Sequence, residues 1–130
     1  MTNTFYVAAQ VSADGNFADC TYYADQAGTE PIEGSTLHIP RDAGSCNFAQ
    51  ADNTSLLLIG ATFKTIGSTP GMNGSNFAPA DDENVVTFPM PTNGSIITKG
   101  VILLFSTPGQ VENLYPSSDP QVLNDGPLTC

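Results

Sequence analysis

Tryptophan is absent, and lysine and arginine together number three against thirteen aspartates and glutamates. The resulting formal charge of −10 repels a phosphate backbone instead of displacing its counterions, so nucleic acid is excluded as a partner. One histidine and three basic side chains leave a thin menu for acid, base or nucleophile work, and the chain is expected not to be an enzyme. His38 alternates with Leu37 and Ile39, so it should face away from a core, and no local pattern supplies the nucleophile and orienting acid of a triad. Glycoside hydrolysis needs two carboxylates at a set separation across a cleft, which no spacing here marks, and the usual indole platform for a sugar ring is missing. The glycine-rich stretch 67–75 has no lysine and does not join a strand to a helix, so it is no phosphate loop.

Cys20, Cys46 and Cys130 are an odd number without C-x-x-C spacing, which implies neither a zinc site nor a complete disulfide framework. Reduced thiols are expected, with the first two buried. In an exported chain, Cys20 with Cys46 would be the bridge and Cys130 a link between subunits. No basic residue precedes the short apolar stretch at the start, so no signal peptide is read and a cytoplasmic origin is expected, with a virion or extracellular assembly as a later setting. Membrane partners are not expected either. A spanning helix needs roughly 20 apolar residues, whereas the greasiest run, 96–105, is half that length and carries Lys99.

What the chain does have is turns and strands. Twelve glycines and ten prolines punctuate short alternating runs, and no apolar stripe of helical period persists. Residues 4–12 alternate Phe5, Val7, Ala9 and Val11 against polar neighbours, and Asp14-Gly15 turns the chain into a second run at 17–24 with which it should pair. A loop at 27–35 leads to a short strand at 36–40. Residues 41–52 read as loop or a short helix, because Gly44 interrupts them and no full stripe forms. The runs 56–65 and 96–105 are apolar on both faces, as strands in the middle of a sheet are, and should be partners. Gly100 is read as a bulge or close backbone approach. Residues 85–90 resemble an edge strand, since Pro89 and Pro91 lack amide hydrogens on the same side. Asn93-Gly94 is the strongest short hairpin signal and leads into 96–105. Runs at 110–115 and 121–123 follow. About eight short strands at turn spacing predict a single all-β domain over 1–130, an antiparallel β-sandwich of jelly-roll or Greek-key kind.

Between the two strongest strands lies 67–83, seventeen positions without periodicity, a length uncommon for a purely connective loop. It sets Met72 and Phe77 beside Asp81, Asp82 and Glu83. Exposed apolar anchors next to carboxylates suit a protein contact, so the expected function is a structural or self-associating sandwich, a homo-oligomer or part of a larger protein assembly. The alternative is a lectin-like carbohydrate-binding or calcium-linked module, because sandwiches present loops to ligands. For that reading Asp81, Asp82 and Glu83 are the candidate calcium ligands and Tyr6 with Tyr22 a candidate aromatic patch for sugar. Asp14, Asn16, Asp19 and Asp25 resemble a calcium loop in spacing only. The glycine an EF-hand needs at its sixth position is at its second, as Gly15.

Overall fold

The computed structural model describes residues 3–34, 36–67, 72–117 and 120–126, with side chains at all of these except 110–112. Eleven strands are found among them: β1 Thr4–Val11, β2 Ala18–Tyr23, β3 Pro31–Ile32, β4 Thr36–Pro40, β5 Ser45–Gln50, β6 Leu57–Thr65, β7 Phe77–Pro79, β8 Val86–Pro89, β9 Thr98–Thr107, β10 Gln110–Pro116 and β11 Gln121–Gly126. They form two sheets. The first has the order β3-β2-β1-β5-β8; the second runs β4-β11-β9-β6-β7, with β10 also paired to β9. The inward sets Phe5, Val7, Cys46, Phe48, Val86 and Phe88 of one sheet and Leu58, Ala61, Phe63, Val101, Leu103 and Phe105 of the other close a single apolar core. This is the expected β-sandwich.

The alternation in 4–12 and the turn at Asp14-Gly15 form the expected β1–β2 hairpin, with Val7 opposite Tyr22 and Ser12 N donating to the carbonyl of Phe17 at 2.8 Å. The two apolar runs pair antiparallel, Ala61 opposite Leu103 and Phe63 opposite Val101. Aromatic rings carry the contact between sheets: Phe48 lies 5.9 Å from Phe5 and 6.0 Å from Phe88, which in turn stacks at 5.0 Å on Phe63.

Four readings change. Residues 45–50, within the expected loop or short helix, are β5 in the middle of the first sheet, between β1 and β8. Cys46 and Phe48 point inward at 0% exposure, but the run lacks the branched residues that announce a strand. Second, the sheets are mixed, because β1 pairs β5 and β4 pairs β11 in parallel. Third, Asn93-Gly94 joins no hairpin. It carries the chain from β8 in one sheet to β9 in the other, Gly94 taking φ +83 and Ser95 N bonding Asn93 Oδ1 at 3.1 Å. A turn residue sets the local reversal, while pairing follows the faces that must be buried. Fourth, Gly100 stays in register with Lys64 and with Gln121, and the bulge falls instead between Leu58 and Gly60. A Cβ at Gly100 would meet Ile66 at 3.8 Å and the Lys64 carbonyl at 4.0 Å, both ordinary contacts, so no close approach requires the glycine.

The edge at β8 behaves as read. Among the described strands it pairs only with β5. Lys99, inward on β9 and 9% exposed, reaches across and donates Nζ to the carbonyl of Pro89 at 2.6 Å. Its ammonium lies 4.9 Å from the ring centre of Phe63 and 5.7 Å from that of Phe88, so the charge is met by an oxygen and two aromatic faces. Desolvation pulls its pKa below the ordinary lysine value of 10.5, an effect opposed by the nearby Cys46.

Candidate interaction surface

The outward face of the second sheet is apolar. In register across it stand Phe77, Thr62 and Ile102, then Gly60, Leu104 and Pro116. Phe77 is 48% exposed, Ile102 44%, Ile66 52% and Met72 53%. The two small positions on this face are roofed by neighbours. A Cβ at Gly60 would lie 3.3 Å from the Phe77 ring, and one at Gly100 would touch Ile66. Met72 lines a shallow groove of about 270 Å³ with Thr62, Lys64, Gly100 and Ile102. Leu114, also exposed, sits in register with Ser106. Met72 and Phe77 are thus brought onto one surface with Ile66, Ile102 and Leu114, three residues that the loop-centred reading left out. The signal for them was the second apolar face of 96–105.

The loop carrying the anchors is more ordered than expected. Gly74–Asn76 is a 3-10 turn opened by Asn73, whose side chain accepts from Ser75 N at 2.9 Å while Asn76 Oδ1 accepts from Asn73 N at 2.9 Å. Asn76 Nδ2 then bonds the carbonyl of Phe63 at 2.9 Å, and β7 pairs with β6 immediately after. Residues 68–71 of this stretch lie outside the described ones.

On the first sheet the outward face is polar, and one expected contact is corrected. Tyr22 is not a surface partner of Tyr6. It points inward at 5% exposure, its ring edge-on to Phe48 at 6.0 Å. The residue opposite Tyr6 is Tyr23. Strand alternation fixes this: placing Tyr22 on the outer face required a register one residue away from the one that turns Ala18, Cys20 and Tyr22 inward together, Cys20 only half-buried.

In the acidic triplet one carboxylate is engaged by the backbone. Asp81 Oδ1 accepts from the backbone N–H groups of Glu83 at 2.9 Å and Val85 at 3.0 Å, capping its own turn. Asp82 and Glu83 are exposed. Among the described residues no group of three or more His, Cys, Asp or Glu side chains is placed to hold a metal ion. Asp14 and Asp25 likewise serve turns. Hydrogen bonds, first from Ser12 and from Thr29 respectively, hold their carboxyls below the ordinary 3.8.

Cys20 and Cys46 are free thiols. They cannot bridge: β1 separates their strands, and Cys20 pairs at Ala9 whereas Cys46 precedes the Thr4–Asn47 pair. That places them about 20 Å apart along the strands and two strand spacings across, far beyond the ~7 Å Cα limit of a disulfide. Burial pushes the Cys20 thiol up to about 12 and raises that of Cys46 further. Cys130 lies outside the described residues. His38 faces outward as read, and its Nδ1 meets Asp125 Oδ1 at 2.7 Å on the neighbouring strand.

Neither a family model nor a curated protein matches this chain. No helix among the described residues is long and apolar enough to cross a membrane.

Proposed function

We propose that this protein is a non-enzymatic, self-associating structural sandwich, and that a second copy of the chain covers the outward face of the β4-β11-β9-β6-β7 sheet. The observation that carries the reading is the second apolar face of β9. A strand with Ile102 and Leu104 on one side and Val101, Leu103 and Phe105 on the other has the composition of a strand buried on both sides, yet Ile102 is 44% exposed.

Charge selects the occupant. At −10, two copies repel wherever carboxylates meet, so contact is favoured where they are scarce. The described outward side chains of β6, β7 and β9 include no carboxylate. On β11, Asp125 is paired with His38. Two copies related by a twofold axis would bring this face against itself, burying Phe77, Met72 and Ile102 as central anchors. A coat or appendage component of a virion or extracellular assembly is the setting that such packing suits.

Light scattering coupled to size exclusion tests the proposal. The wild-type chain is expected to run as a dimer or larger species at about 100 µM, the micromolar range of modest interfaces. Ile102→Asp and Met72→Asp should each yield monomer with an unchanged strand spectrum in circular dichroism. A wild-type monomer at that concentration, or a multimer indifferent to both substitutions, would overturn it.

A further inference from the structure

The opposite outer face carries a different kind of surface. Where Ala8 stands in the middle of the first sheet its short side chain leaves a dish of about 190 Å³, ringed by Gln10, Asp19, Thr21, Tyr23 and Asn53. Thr21 is directly opposite Ala8 and Asp19 opposite Gln10, so alternation sends their side chains to the same side as Tyr23 and Tyr6. No hydrogen bond to another described residue engages the side chains of these five ring members. A carboxylate, two amides and two hydroxyls therefore converge on one concavity with their donors and acceptors unspent among the described residues.

The rim is rigid. Asn53 belongs to the loop after β5, which continues along β1. Ala51 N donates to the Val7 carbonyl at 2.9 Å, Ser55 N and Leu56 N to the Ala9 carbonyl at 3.0 and 3.1 Å, and Asp52 N to the Gln26 carbonyl at 2.7 Å. Thr54 Oγ1 accepts from Ala9 N at 2.9 Å and donates to the Leu56 carbonyl at 2.9 Å. Beneath Asn53 lies Gly28, at φ +74, where any Cβ would collide with the Asn53 amide. The turn that holds Gly28 there is itself tied by Asp25, which accepts from Thr29 N at 3.0 Å and Glu30 N at 2.9 Å. A backbone held in this way before a ligand arrives leaves only side-chain ordering as the entropy cost of binding.

We infer that this dish is a subsite for one neutral sugar ring. The carboxylate of Asp19 accepts from a pair of neighbouring hydroxyls, the amides of Gln10 and Asn53 each both donate and accept, and the Tyr23 ring beside Tyr6 offers an apolar edge to C–H groups of the ring. No lysine or arginine lines the dish, and with Asp19 in it and a charge of −10 around it an anionic ligand is disfavoured. Size limits the ligand further. At about 190 Å³ the dish falls below the roughly 300 Å³ where drug-sized sites begin, so it takes a single ring. A shallow site of this kind binds weakly alone. Because it lies on the face opposite the proposed self-association surface, copies joined there would present several dishes at once and gain by avidity.

Saturation-transfer difference NMR reads the ligand and works whatever the size of the assembly. The probes are the methyl glycosides of glucose, galactose, mannose and N-acetylglucosamine, with choline as the cationic comparison. At least one glycoside should give a saturable signal that falls fivefold or more in Asp19→Ala and in Asn53→Ala and persists in Thr87→Ala, a substitution on the same face outside the dish. Asp19 and Asn53 are exposed, so both variants should keep the wild-type circular dichroism spectrum, and the wild-type titration decides by itself if one does not. No signal from any of the four glycosides, a signal from choline alone, or a glycoside signal untouched by both substitutions would overturn the assignment.

Discussion

Asn124 is fully buried at 0% exposure and is the polar side chain on which the crossing between sheets depends. Its Oδ1 accepts from Ile97 N at 2.6 Å, and its Nδ2 donates to the carbonyls of Ser95 at 2.7 Å and Arg41 at 3.2 Å. These bonds fasten the segment leading into β9 to the turn after β4, two stretches far apart in the chain. Ser117 does the same for β9 itself, its Oγ accepting from Leu103 N at 2.8 Å in the gap between β10 and β11. Replacing Asn124 by leucine keeps the volume but leaves three backbone groups unpaired, each costing about 1–3 kcal/mol. Asn124→Leu is therefore expected to lose more than ~2 kcal/mol in urea denaturation. A loss below ~0.5 kcal/mol, the range of an ordinary surface change, would mean that water replaces the amide and that the crossing is not held by this residue.

Along β9 two neighbours of similar size have opposite roles. Leu103 points into the core at 0% exposure, and Ile102 points out at 44%. Truncating the first should cost about 2–5 kcal/mol, the range for emptying a packed leucine or isoleucine site. Truncating the second should change the unfolding free energy of the dissociated chain by no more than ~0.5 kcal/mol while weakening association. Urea titrations of Leu103→Ala and Ile102→Ala at low protein concentration separate the two, and equal losses would mean that the outer face of β9 is covered within the chain. The β8 edge shows how a strand end is closed against unwanted pairing. Pro89 offers no outward N–H, and its carbonyl is occupied by Lys99. Association by strand addition is thereby disfavoured at this edge, which leaves the sheet face as the better contact.

For the molecule as a whole, charge and apolar surface are segregated. Nine of the thirteen carboxylates lie in described turns and loops such as 81–83 and 25–30, and the outward side chains described on β6, β7 and β9 carry none. Copies meeting at that face still feel the field of the remaining −10, so association depends on screening. Raising ionic strength from 0.01 to 0.15 M shortens the screening length from about 30 to about 8 Å. Sedimentation velocity across that range should show a shift toward the multimer. Dissociation on adding salt would point to an interface built on ion pairs instead.

How much of this was legible in the chain depends on the range of the interaction concerned. Alternation in 4–12, the apolar runs 56–65 and 96–105, the outward His38 and the prolines of β8 are local patterns, and side-chain period and proline chemistry determine them without reference to distant residues. The sandwich and its core followed from them. Met72 and Phe77 could be picked out as exposed because turn residues surround them, but their neighbours Ile66, Ile102 and Leu114 could not, since which face of a doubly apolar strand stays open is decided by what else packs there. Tertiary structure likewise decided that β5, poor in branched residues, is a central strand. It turned Tyr22 inward and set Tyr23 opposite Tyr6, sent Asn93-Gly94 between sheets, and placed Cys20 and Cys46 beyond bridging distance. The dish at Ala8 joins residues 10, 19, 21, 23 and 53 only through strand register and a loop seated on β1, so it exists only once long-range backbone pairing has formed.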